Sequence, residues 1–140
     1  MKAKEYLKQY RLLKLIIEQK KKDIREFEHD IASLKAIDYT KDRVQCSHDD
    51  VIASCLAKLN MMRASAHSDI ERLFDIYREI IKMIDKVADF RCRTLLHYRY
   101  IECLTFEDIA EEMNYSYRQV LRLHGIALQE IKVHYDKDVT

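Results

Sequence analysis

The chain has no proline and a single glycine, Gly125, in 140 residues. Sheets and long loops draw on these two residues for their turns, so a sheet-rich or loop-rich fold is excluded. A nearly all-helical chain with few, polar connections is expected. No apolar run approaches the roughly 20 residues needed to span a bilayer, which argues against a membrane partner. The opening residues, Met1-Lys2-Ala3-Lys4-Glu5, lack the apolar core and cleavage site of a secretory signal, so a cytoplasmic location is expected. Cys-x-x-Cys and His-x-x-x-His pairs are absent, and no glycine-rich loop or carboxylate pair supports catalysis. Neither cofactor, metal nor enzymatic activity is expected. The four cysteines, at positions 46, 55, 92 and 103, are expected to stay reduced.

What is present is periodicity. The composition, 48% hydrophobic and 35% charged, is that of a soluble globular or coiled-coil chain. Tyr6, Tyr10, Leu13, Ile17, Lys20, Ile24, Phe27, Ile31 and Leu34 fall at alternating steps of four and three, with only Lys20 out of character. The polar stretch Asp38 to Asp50 interrupts the stripe and reads as the one substantial loop. Ser47, three residues before Asp50, is the expected cap of the next helix. The stripe resumes through Ile52, Leu56, Leu59, Arg63, Ala66, Ile70, Leu73, Tyr77, Ile80, Ile84 and Val87. A period of 3.5 held this long implies helices that supercoil against a partner.

Two such helices joined by a polar loop predict an antiparallel hairpin over residues 1–88. Leu12, Leu15 and Ile16, with Phe74, Ile76 and Ile81, widen its apolar face beyond a single seam, which favours a homodimer through this arm. Lys20 and Arg63 admit two readings, as register-setting polar positions or as side chains that snorkel outward.

The period changes near Asp89, which can cap a helix carrying Phe90, Leu95, Leu96 and Ile101. Residues 89–135 are read as a separate domain, and the polar end from Tyr135 to Thr140 as frayed. Within this domain Thr105 can cap a short helix with Glu107 and Asp108 at its start and Ile109, Ala110 and Met113 on its buried side. Asn114 can stop that helix in a left-handed conformation, and Tyr115 can bury in the turn. Ser116 and Gln119 have capping-box spacing at the start of a second helix, whose inner face is Val120, Leu123, Ala127, Leu128 and Ile131. Helix, short turn and capped helix is the pattern of a helix-turn-helix.

The segment LTFEDIAEEMNYSYRQVLRLHGIALQEI, from Leu104 to Ile131, resembles region 4 of the sigma-70 family. The shared elements are the Leu-Thr-x-x-Glu/Asp-Ile-Ala opening, the serine cap and the apolar-Arg-x-apolar rhythm before Ala127-Leu128. The chain as a whole is similar to small phage and prophage proteins of Gram-positive bacteria, likened to late-gene transcription regulators of the ArpU type. Only its final 40 or so residues carry specific motifs. The resemblance implies double-stranded DNA as partner and RNA polymerase as a further one. Cys103 and Asn114 stand where that family usually has glycine, and a different turn is expected at Cys103 because a side chain there costs on the order of 1 kcal/mol.

In a recognition helix the first residues face base edges. Tyr117, Arg118, Leu121 and Arg122 lie on the outer face. Arg118 and Arg122 are four apart, and either can grip guanine bidentately. Leu121 suits a thymine methyl, and Ser116 and Tyr117 suit phosphates. Gln119 can serve the cap or reach a base, and His124 and Lys132 are further phosphate candidates. Gly125 reads either as a close approach to another helix or to DNA, or as a tolerated weak point. From Arg91 to Lys132 six Lys/Arg (91, 93, 99, 118, 122, 132) meet six Asp/Glu (102, 107, 108, 111, 112, 130). Without net positive charge one domain gains little non-specific DNA affinity, so two copies or a polymerase co-tether are expected. The competing reading is a helical adaptor or assembly protein whose helix-turn-helix docks protein, RNA polymerase among the candidates.

Overall fold

The computed structural model describes residues 3–36 and 45–139. Among the described residues the chain is all-α, with α1 (Ala3–Ala36), α2 (Gln45–Asp85), α3 (Phe90–Leu96), α4 (Phe106–Met113) and α5 (Tyr117–Val139). A π-helical turn, His97–Ile101, continues α3. No helix is long and apolar enough to cross a membrane among the described residues. Residues 38–44 of the expected loop lie outside them. Residues 45–50 are helical, so Ser47 falls inside the first turn of α2 rather than at its cap. The polar sequence there was a weak guide because a polar first turn of a helix looks like a loop.

By contacts the chain forms two compact units, Leu15–Arg72 and Met1–Lys14 with Leu73–Thr140. This partition cuts through both long helices and differs in kind from a division of the sequence at residue 88.

In the Leu15–Arg72 unit, Ile17, Ile31, Leu59 and Ala66 are buried. Both polar interruptions of the stripe find partners on the opposite helix. The Lys20 ammonium donates to the Asp69 carboxylate and, at 2.9 Å, to the Ser65 hydroxyl. The Arg63 guanidinium reaches Glu28 at 2.6 Å. These pairs run in opposite sequence order, and they exchange snorkelling into water for specific cross-helix partners. Each of these solvent-accessible pairs contributes on the order of 0–1 kcal/mol, so their effect is on alignment more than on stability. Leu56, expected in the seam, is 37% exposed.

The other unit holds a continuous core of Leu7, Ile80, Ile84, Val87, Cys92, Leu95, Leu96, Tyr100, Ile109, Val120, Leu123, Ala127 and Ile131, among others. Fully burying a side chain such as Leu95 or Ile109 is worth roughly 1.5–3 kcal/mol. Leu7 is buried while its neighbours Tyr6 and Tyr10 are only half-buried, so the first turns of α1 belong to this core through a different face from the heptad stripe. Phe90, expected inside, is 71% exposed, and Cys92 takes the buried position. The end of α5 is anchored rather than frayed up to Val139. Tyr135 packs on Tyr6 with ring centroids 5.2 Å apart, and Lys86 pairs with Asp138 at 2.6 Å. Leu12, Leu15, Ile16 and Phe74 are at least half exposed, whereas Ile76 and Ile81 are half-buried.

Candidate nucleic-acid interface

Three caps and two left-handed residues position α3, α4 and α5. The Asp89 carboxylate accepts from the Arg91 backbone N–H at 2.9 Å and caps α3. The Arg91 side chain, as well as that backbone bond, holds the Asp89 carboxyl below its ordinary range. The Thr105 hydroxyl accepts from the Asp108 N–H at 3.2 Å and caps α4. Ser116 and Gln119 form a reciprocal capping box. The Gln119 N–H donates to Ser116 Oγ at 3.2 Å, and the Ser116 N–H donates to Gln119 Oε1 at 2.9 Å. The Gln119 side chain is thereby committed to the cap, one of the two roles open to it in sequence.

Asn114 ends α4 at φ 56°, ψ 39°. The Asn114 N–H donates to Glu111 O at 3.3 Å and the Tyr115 N–H to Ala110 O at 3.0 Å, the paired bonds of a Schellman closure. Tyr115 packs half-buried against the core, as expected. Cys103 also adopts a positive φ, 60°, so the left-handed turn is kept although glycine is missing. The Leu104 N–H closes it onto Tyr98 O at 3.0 Å. Arg99 reinforces it by donating to Leu104 O at 2.9 Å while its guanidinium lies 4.2 Å from the Phe106 ring centroid. These contacts hold the turn in place although a side chain is sterically unfavourable there.

The resulting α5 has a sharply divided surface. Val120, Leu123, Ala127 and Ile131 are buried, and Glu130 secures the helix by accepting from the Ala88 N–H at 2.8 Å. Of the residues singled out from sequence, Ser116, Tyr117, Arg118, Gln119, Leu121, Arg122 and Lys132 are all exposed, and the helical period brings Arg118, Leu121, Arg122 and Lys132 onto one face. Among the described residues, neither Arg118 nor Arg122 makes an ion pair. Both guanidiniums are therefore available to a ligand.

His124 does not join them. It is 7% exposed, its Nε2 shares a 2.7 Å hydrogen bond with the Tyr100 hydroxyl, and Phe106 packs edge-on at 4.9 Å between centroids. Burial, with added repulsion from Lys4 and Arg99, pushes its pKa down to about 4. A neutral imidazole enclosed by aromatic rings cannot present positive charge to a phosphate, which removes it from the contact set. On a helical wheel it sits about 120° from Arg118, beside the core face, a placement the periodicity could have revealed.

Gly125 lies near the centre of the outer face, and a Cβ there would meet nothing within 4 Å. Among the described residues no other helix of the chain comes that close, so a tight contact within the chain is not its reason. The acidic residues Glu107, Asp108, Glu111 and Glu112 are all exposed on α4. Cys92 is a buried thiol with its pKa raised chiefly by burial, its Sγ 3.9 Å from Leu123 O, which is the environment of an inert core cysteine. Among the described residues no group of three or more His, Cys, Asp or Glu side chains could hold a metal ion.

No curated protein and no solved structure gives a significant match to the chain. One family model, described as a protein of unknown function (DUF1492), matches residues 38–132, more than half of the chain. The chain belongs to the DUF1492 family.

Proposed function

We propose that this chain is a sequence-specific, non-enzymatic DNA-binding transcription regulator that lays α5 in the major groove. The observation that carries this reading is the pair Arg118 and Arg122. They are one helical turn apart, exposed and free of carboxylates, on a helix whose start is fixed by a capping box and whose opposite face is buried. α4, the Asn114 turn and α5 then act as a helix-turn-helix similar to sigma-70 region 4. Arg118 and Arg122 read guanines, Leu121 meets a thymine methyl, and Ser116, Tyr117 and Lys132 hold phosphates. Gln119 supports the cap rather than a base.

In the same reading α1 and α2 form an antiparallel hairpin that joins two copies. Leu12, Leu15, Ile16 and Phe74 support this because large apolar side chains left in water favour association. A dimer also supplies the second reading head that a domain of balanced charge needs for useful affinity. A phage or prophage regulator of late genes is the setting implied by the family resemblance.

Site selection with purified chain and random duplexes, followed by binding of R118A/R122A to the selected site, tests the assignment. The double variant is expected to lose discrimination by roughly 1–3 kcal/mol per lost guanine contact. Unchanged specific binding would reject α5 as the reading helix. Sedimentation of the free chain tests the dimer.

The exposed acidic side chains of α4 favour a second reading, docking of protein such as RNA polymerase through the same motif. Under that reading duplex DNA is not bound, and a basic surface on polymerase takes its place.

A further inference from the structure

The first turn of α3, the turn between α4 and α5 and the first three turns of α5 border a cleft of about 220 Å³ lined by Arg91, Tyr115, Gln119, Arg122, Leu123 and Ile126. Its polar wall is dominated by donors. Arg91 is bonded to Asp89 at 3.2 Å and lines the cleft together with Tyr115. A guanidinium has five N–H groups, so this bond leaves it donors to spare. No carboxylate is among the lining residues, and Asp89, the partner of Arg91, is already engaged by it and by the α3 cap.

Gln119 contributes by a local constraint. Its Oε1 is held by the Ser116 N–H, so its amide –NH2 is turned away from the cap and keeps both protons for another acceptor. Arg122 adds a second guanidinium without an ion-pair partner, and Leu123 and Ile126 form an apolar floor. Two guanidiniums, a phenol and an amide lining one cleft suit a tetrahedral oxyanion.

We propose that this cleft receives one backbone phosphate of a DNA duplex and that Arg91 is a phosphate ligand of the protein. The proposal rests on α5 being the DNA-reading helix, since a helix in the major groove has phosphates along both flanks and this cleft opens on the α3 flank. Arg91 then fixes the angle at which α5 enters the groove, and Arg122 lies between a base edge and this phosphate.

The test compares wild type, R91A, R91K and R118A/R122A on the selected duplex and on an unrelated one, across a salt series. R91A is expected to weaken both duplexes by a similar factor, on the order of tenfold, and to reduce the slope of log K against log salt by about 1, with sequence preference kept. R91K is expected to retain the slope, because the charge is kept. Ethylation interference should show one phosphate whose modification hurts wild type and not R91A.

If R118A/R122A loses discrimination while R91A matches wild type in affinity and slope, α5 reads DNA and the phosphate cleft is wrong. Absence of DNA binding by wild type overturns both. Saturable binding of inorganic phosphate alone, with R91A unchanged on DNA, reassigns the cleft to a free anion. Thermal melts of each variant separate lost contacts from lost folding.

Discussion

Tyr100 and His124 share a 2.7 Å hydrogen bond inside the core that supports α5, two residues from Arg122. Burial raises the Tyr100 pKa to about 12, so the phenol keeps its proton, and it depresses His124 to about 4. The folded chain thus excludes a proton that the unfolded chain accepts below pH about 6.5. The associated stability is fully present above pH 6.5 and is lost as pH falls from about 6.5 towards 4. Thermal melts over this range are expected to show a falling Tm in the parent and a shallower fall in H124Q, which cannot charge. A His124 imidazole titrating near 6.5 by NMR in the folded chain would contradict the buried assignment.

Gly125 sits in an exposed helix interior with open space where a Cβ would stand. G125A is expected to stabilise the free protein by about 1 kcal/mol, the propensity difference between the two residues. Chemical denaturation measures this directly, and a loss of stability would show that the glycine answers a contact within the chain. A drop in DNA affinity beside a gain in stability would mark Gly125 as the point where duplex comes closest to the α5 backbone.

The left-handed Cys103 poses the opposite question, since here a side chain stands where glycine is favoured. C103G is expected to raise stability by up to about 1 kcal/mol, seen as a rise of a few degrees in Tm. The thiol donates only weakly to Tyr100 O and Ile101 O, at 3.9 and 3.7 Å, and these contacts do not reverse that sign. A destabilised C103G would mean that Arg99 and the π-turn already absorb the steric cost.

The start of α5 depends on Ser116 and Gln119 together. S116A is expected to cost about 1 kcal/mol, within the range of other lost serine caps. Because Arg118 lies in the first turn, S116A is also expected to increase amide hydrogen exchange at residues 117–119, where the cap is lost. Unaltered exchange there would show that packing alone holds the helix start.

Much of this architecture is local and legible in the sequence. Asp89, Thr105, Ser116 and Gln119 cap the helices they were expected to cap, and Asn114 ends α4 in the left-handed conformation, because each depends on backbone groups within three or four residues. The inner face of α5 was readable for the same reason, as Val120, Leu123, Ala127 and Ile131 follow the helical period. Where local logic failed, its signal was shared by two outcomes. The polar residues 45–50 suit a loop or a first helical turn, and Phe90 suits a core or an exposed patch.

The near absence of glycine and proline, with the caps and the two apolar periods, determined by itself that the chain is helical, where α3, α4 and α5 begin and where α4 ends. Those signals act through neighbours along the chain. Tertiary structure alone decided that Ala3 and Leu7 enter the core, that Tyr135 packs on Tyr6 and that Tyr100 encloses His124. It also decided that Arg91 and Arg122 line one cleft. Each of these joins residues at least 20 positions apart, and burial is set by whatever the fold brings against a side chain, which no local period encodes.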